Sequence, residues 1–206
     1  ADNFIKKYGR TFSDDPEKVA RHAMEFIAAH RKYGIITTLK HFPGHGSADG
    51  DSHLGLVNVT HTWNRSELEP YKIIIDSGMC DGVMTAHILN FRLGTDSLPA
   101  TLSAQVINGL LRDTLGFDGV VFSDDMQMRA ISDFYGMKKA IRLSIEAGVD
   151  VLIFSHNIAG TTDQKAERVF NVIKKLVEDG EISRERIEQS YNRIMKLKEK
   201  YIIRNI

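Results

Sequence analysis

Cysteine occurs once in the 206 residues, as Cys80, which excludes an intrachain disulfide and any cysteine-rich zinc site. Charge of one sign is not in surplus either. The 27 Lys and Arg are balanced by 27 Asp and Glu, whereas a nucleic-acid binder would show a basic excess. No apolar run approaches the roughly 18 residues of a membrane-spanning helix. The opening Ala1-Asp2-Asn3-Phe4 lacks the basic and apolar stretches of a secretory leader. A starting methionine is missing, so the chain reads as a processed or excised piece whose upstream sequence could have carried an export signal. Export therefore stays open. Aromatic residues make up 8% and are scattered, which gives no stacking platform. What remains is the mix of a globular domain, 42% hydrophobic and 26% charged, with enough apolar material for a core and no sign of disorder.

Four short apolar runs read as buried parallel strands: Ile35 to Leu39, Gly82 to Ala86, Gly119 to Ser123 and Asp150 to Ser155. Helical segments lie between them. Asp14-Asp15-Pro16-Glu17 opens one helix with Pro in its first turn, Gly34 closes it, and Val19, Ala23, Phe26 and Ile27 form its apolar stripe. Ser66 with Glu69 fits a capping box, with Gly78 as the stop. Ser103 opens a segment with Val106, Leu110 and Leu111 on one stripe and Gly116 at its end. Met137 to Ala147 is a helix stopped by Gly148, and two more follow, about Thr162 to Glu178 and Ser183 to Lys200. Ile187, Tyr191, Ile194 and Leu197 make the last of these a packing element. No linker breaks the chain, so no domain boundary is drawn.

Strands alternating with helices predict an α/β fold with a parallel sheet. The polar residues at the strand exits, His41, His87, Asp124 and His156, follow at about 46, 37 and 32 residues, against roughly 31 per unit in a (β/α)8 barrel. Four such units make half a TIM-type barrel. Either the remaining strands lie outside this chain, or a second copy completes the sheet. A doubly wound open sheet would also gather ligands at these exits, so position alone does not separate the two folds.

The densest chemistry lies in Lys40-His41-Phe42-Pro43-Gly44-His45-Gly46 and on through Asp51-Ser52-His53. Asp51 stands two residues from His53, where a carboxylate can hold one ring nitrogen and leave the other to exchange a proton. A local turn-capping bond is the plainer alternative. Phe122-Ser123-Asp124-Asp125-Met126 ends a strand with two carboxylates. Alternation lets only one face the mouth, so Asp124 is read as nucleophile and Asp125 as N-cap of the next helix. His87 is read as a ligand contact or a structural histidine. His41, His45, Asp51 and His53 could hold a metal, but Pro43 and Gly44 keep the first two off a common helix face and Lys40 opposes a cation. Neither a metal nor any other cofactor is expected.

Lys40-His41-Phe42-Pro43-Gly44-His45-Gly46, Asp51-Ser52-His53, Met84-Thr85-Ala86-His87 and Phe122-Ser123-Asp124-Asp125-Met126, with Arg10-Thr11-Phe12-Ser13-Asp14-Asp15-Pro16 ahead of them, resemble glycoside hydrolase family 3. They look closest to its bacterial β-N-acetylglucosaminidase (β-hexosaminidase) branch. The resemblance implies a (β/α)8 barrel of which residues 1–206 hold about the C-terminal half, the upstream strands and their sugar-binding aspartate being absent from this chain. It implies a retaining hydrolase of terminal β-linked N-acetylglucosamine, with Asp124 as nucleophile and His53, held by Asp51, as acid/base. Arg10, Lys40 and His41 would bind the sugar, His87 would be a further contact, and bacterial cell-wall recycling would be the setting. An imidazole repels an anionic acceptor less than a carboxylate does, so phosphorolysis stands beside hydrolysis. The competing classes are a non-catalytic partial barrel that assembles with another chain and a metal-dependent hydrolase.

Overall fold

The computed structural model describes residues 3–7, 9–48, 50, 55–94, 97–155 and 166–202. After a single turn, α1 (Phe4–Lys7), the chain enters α2 (Pro16–Arg31). Asp15 caps α2, its carboxylate accepting from the amides of Glu17 and Lys18, and Pro16 occupies the first turn, where a missing N–H costs nothing. Ala20 and Ile27 face the core, whereas Phe26 is exposed and stacks on His30, against the expected stripe. β1 (Thr38–Phe42) starts three residues later than expected. The amide of Ile35 returns to the carbonyl of His30, and Gly34 takes a φ of 68°, so Ile35 belongs to the turn that ends α2. Ile35 and Ile36 are exposed.

β2 (Val57–Asn58) is short, and a 3₁₀ turn at Arg65–Leu68 leads into α3 (Glu69–Asp76). The capping box lies at Asn64 and Glu67 and not at Ser66 and Glu69, because the chain tightens two residues earlier. β3 (Gly82–Thr85) and the two-residue β4 (Ile88–Leu89) precede a π-helix at Gln105–Thr114. The π-helix closes on the bond from the Leu115 amide to the Leu110 carbonyl and buries Val106, Ile107 and Leu111. β5 (Val120–Asp125), α4 (Arg129–Tyr135), α5 (Met137–Ala147), β6 (Val151–Ile153), α6 (Ala166–Glu178) and α7 (Arg184–Ile202) complete the described chain. Residues 162–165, the expected start of α6, lie outside the described residues. None of the described helices is long and apolar enough to cross a membrane.

The main sheet runs β1-β3-β5-β6, every pair parallel, and β2 pairs with β4 in a separate two-stranded ladder. Each strand of the main sheet lies beside the next in sequence. A doubly wound sheet reverses its order at a switch point; a barrel does not. The four-strand order is therefore the barrel's, as part of a TIM-barrel-like α/β fold. Gly82 opens β3 because a Cβ there would lie 2.9 Å from the Phe122 ring and 3.0 Å from Thr38 Oγ1.

The core lies between sheet and helices, around Phe42, Val83, Val121, Ile107 and Leu111, with a second cluster of Ile141, Ile145, Leu176 and Ile182 under α5 and α6. Tyr191 is exposed, contrary to expectation, because α7 turns a polar face inward. Arg186, Ser190 and Arg193 of that helix reach the buried Asp150, just ahead of β6, which Arg112 joins at 2.9 Å. At the same end of the sheet Asp81, just ahead of β3, is held by Arg31 at 2.9 Å, Lys200 at 2.8 Å and Tyr201.

Candidate active site

The opposite end of the sheet collects the reactive groups. β1 carries Lys40 and His41 just before its last residue, Phe42, the ladder to β3 slips between Leu39 and Phe42, and β5 ends in Asp124 and Asp125. His41 Nε2 stands 3.9 Å from Asp124 Oδ2, with the two side chains 15% and 19% exposed. The second Asp124 oxygen, Oδ1, accepts from the Asp125 amide at 2.8 Å. His45 brings its ring edge-on to His41, centroids 5.9 Å apart.

Burial pushes the His41 pKa down. Asp124 pulls it up, and Lys40, His45 and Arg10 push it down again, to about 4. His41 is thus a neutral imidazole at physiological pH, and Asp124 faces an uncharged ring 3.9 Å away. Arg10, Lys40, His41 and Asp124, four residues singled out in the sequence, act on one point. Arg10 and Lys40 are exposed, free to approach a ligand.

The glycine loop after β1 is held from three directions. Trp63 Nε1 donates to the Pro43 carbonyl at 3.1 Å. The Asn3 amide donates to the carbonyls of His45 and Ala48 at 2.9 and 3.0 Å. Glu67 accepts from the Gly46 amide at 2.9 Å and from the Ser47 hydroxyl. Gly44, at φ 117°, lies so close over Glu67 that a Cβ would fall 2.6 Å from Glu67 Cβ. Asn3, Trp63 and Glu67 carry no local sequence signal for this task, since each reaches the loop across at least 20 residues.

One open reading narrows and one expectation changes. His87 sits at its strand exit but is fully buried. Its Nδ1 meets Thr101 Oγ1 at 2.8 Å and its Nε2 donates to the Asp125 carbonyl at 2.9 Å, so both ring nitrogens are taken by protein. Of the two readings of His87, the geometry gives the structural one. Asp125 is not a helix cap, because α4 begins only at Arg129. Its carboxylate accepts from the Gln127 amide at 3.0 Å and from the amide and hydroxyl of Ser155. Asp51, His53 and His156 lie outside the described residues. Among the described residues no group of three His, Cys, Asp or Glu side chains is arranged to hold a metal.

Residues 3–197 match the glycosyl hydrolase family 3 N terminal domain. Beta-hexosaminidase A of Pseudoalteromonas piscicida is 34% identical over 205 residues, covering 93% of this chain and 34% of that protein. The beta-hexosaminidase of Tolumonas auensis is 37% identical over 154 residues, covering 73% and 46%. The structure of a glycoside hydrolase family 3 beta-N-acetylglucosaminidase from Paenibacillus sp. superposes with a TM-score of 0.86 at 40% identity, over 94% of this chain and 36% of that one. The chain spans between about a third and a half of the length of these relatives.

Proposed function

Because this chain belongs to glycosyl hydrolase family 3, by its match to that family's N-terminal domain, we propose that it carries the catalytic half-site of a retaining β-N-acetylglucosaminidase. The observation that bears most weight is Asp124 at the mouth of β5, with one oxygen bound to a backbone amide and the other turned to the neutral His41. A carboxylate so held presents one oxygen, Oδ2, toward the mouth of the sheet, from where it can attack carbon.

The reaction is a double displacement. Asp124 attacks the anomeric carbon while His53, oriented by Asp51, protonates the departing oxygen. The same imidazole then draws a proton from water, which cleaves the glycosyl ester with net retention. Arg10, Lys40 and His41 hydrogen-bond the sugar hydroxyls. Residues 1–206 act as one unit, about the second half of an eight-stranded barrel, whose two edge strands β1 and β6 are closed by strands from outside these residues or from a second copy.

Cleavage of an aryl N-acetyl-β-glucosaminide by the full-length protein tests this, with NMR of the first-formed sugar. The β-anomer should appear first, and Asp124→Ala and His53→Ala should each remove activity. An α-anomer first, or an Asp124→Ala variant at wild-type rate, overturns it. Running the reaction in phosphate and assaying N-acetylglucosamine 1-phosphate separates phosphorolysis from hydrolysis.

A further inference from the structure

Asp124 is held by the residue that follows it. The Asp125 amide fills Oδ1 and leaves Oδ2 as the free oxygen. That amide can fix the carboxylate only if Asp125 stays still, and Asp125 is fastened on several sides. Its carboxylate takes the Gln127 amide at 3.0 Å, the Ser155 amide at 3.3 Å and the Ser155 hydroxyl. Its carbonyl takes His87 Nε2 at 2.9 Å.

His87 is itself the end of a buried chain. Thr85, Thr101 and His87 have no exposed surface, and Thr101 Oγ1 lies 2.8 Å from both Thr85 Oγ1 and His87 Nδ1. The same Thr101 hydroxyl donates to the Ala86 carbonyl at 3.0 Å, so one buried oxygen ties together Thr85, Ala86 and His87, and the far nitrogen of the ring, Nε2, donates to the Asp125 carbonyl.

We propose that His87 and Asp125 are positioning residues for the nucleophile: the buried Thr85–Thr101–His87 chain pins the Asp125 backbone, whose amide selects which oxygen of Asp124 attacks. This rests on the reading of Asp124 as nucleophile. Neither residue touches the sugar.

The test uses the full-length protein and dinitrophenyl N-acetyl-β-glucosaminide, whose leaving group departs without an acid. His87→Ala should lower kcat/KM on the order of 10- to 100-fold, chiefly through kcat, as expected when a reacting group loses its alignment. Inhibition by free N-acetylglucosamine should be unchanged. His87→Gln, whose amide can still donate to the Asp125 carbonyl, should recover to within about fivefold of the wild type. The same changes are then made in Asp124→Gly with azide present. There azide attacks the anomeric carbon, dinitrophenolate leaves with the bonding pair, and the product is the α-glycosyl azide. With no carboxylate to position, His87→Ala should cost less than about twofold more.

Equal losses in both backgrounds, or a wild-type rate for His87→Ala, overturn the positioning role. If His87→Ala fails to fold, His87→Gln and Asp125→Asn carry the same comparison, the latter expected to lose roughly tenfold with Asp124 present and nothing without it. An Asp124→Gly variant that keeps its activity or ignores azide defeats the nucleophile itself, and the positioning role with it.

Discussion

The two ends of the main sheet use the same kinds of residue to opposite purpose. At the N-terminal ends of the strands, Asp81 and Asp150 are buried and each is surrounded by cations: Arg31 and Lys200 around the first, Arg112, Arg186 and Arg193 around the second. Their partners come from helices far along the chain, Lys200 lying 119 residues from Asp81. At the C-terminal ends, Asp124 is partly open and faces a histidine that stays neutral. A carboxylate enclosed by cations is locked, and its worth lies in holding α2 and α7 to the sheet. A carboxylate given one amide and one neutral ring keeps an oxygen available. Pairing, more than charge itself, separates the structural end from the chemical one.

The sharpest way to break the contrast is to remove one carboxylate from each end. Asp124→Ala should cost at least about 10³-fold in kcat, as loss of a catalytic carboxylate does, while leaving the urea midpoint near that of the wild type. Asp150→Ala should do the reverse. It strands buried arginines, so about 3–5 kcal/mol of stability should be lost in urea unfolding, with kcat per folded molecule kept.

Next comes acid. Burial alone would raise the Asp81 pKa, but hydrogen bonds from Lys200, Tyr201 and Arg31 outweigh it and hold the carboxyl below its usual range. On acidification the unfolded chain takes up this proton first. The stabilisation from Asp81 is therefore complete above about pH 4 and is lost as pH falls through the lower folded value. Unfolding free energies measured from pH 7 down to 3 should show this slope, and Asp81→Asn should flatten it.

A milder test concerns the loop. Glu67→Ala frees the Gly46 amide and the Ser47 hydroxyl. It should lower kcat/KM by roughly tenfold through misplacement of the His41–His45 wall, with a small change in the thermal midpoint. The smallest effect is at His41. Its ring should show no titration by NMR between pH 8 and 6 and a midpoint near 4. Asp124→Asn removes the anion that favours the charged ring and should move that midpoint lower still.

Where punctuation is local, the sequence was legible. Asp15 and Pro16 start α2, and Met137 to Ala147 stops at Gly148, whose φ of 115° suits only glycine. The motif stretches put Lys40, His41 and Asp124 at one point because a parallel sheet brings strand exits together, and the segment ahead of α2 brings Arg10 to them. What escaped was non-local. Ile35 and Ile36 look like strand residues, but the turn ending α2 claims Ile35 before the ladder begins. The β2–β4 ladder is too short to leave a periodic signal. Asp125 beside Asp124 reads as a helix cap until Ser155, thirty residues on, is seen bonding its carboxylate.

By itself the order of residues determined the alternation of strand and helix, the family, and which side chains stand at the strand exits, because those follow from periodicity and contiguous motifs. Only the folded chain decided that both ring nitrogens of His87 meet protein atoms, that Glu67 holds the glycine loop, and that one Asp124 oxygen is occupied while the other is open. Each of those depends on a hydrogen bond between residues whose separation along the chain carries no information, or on which side of a strand end the backbone turns, and both are fixed only when the elements pack.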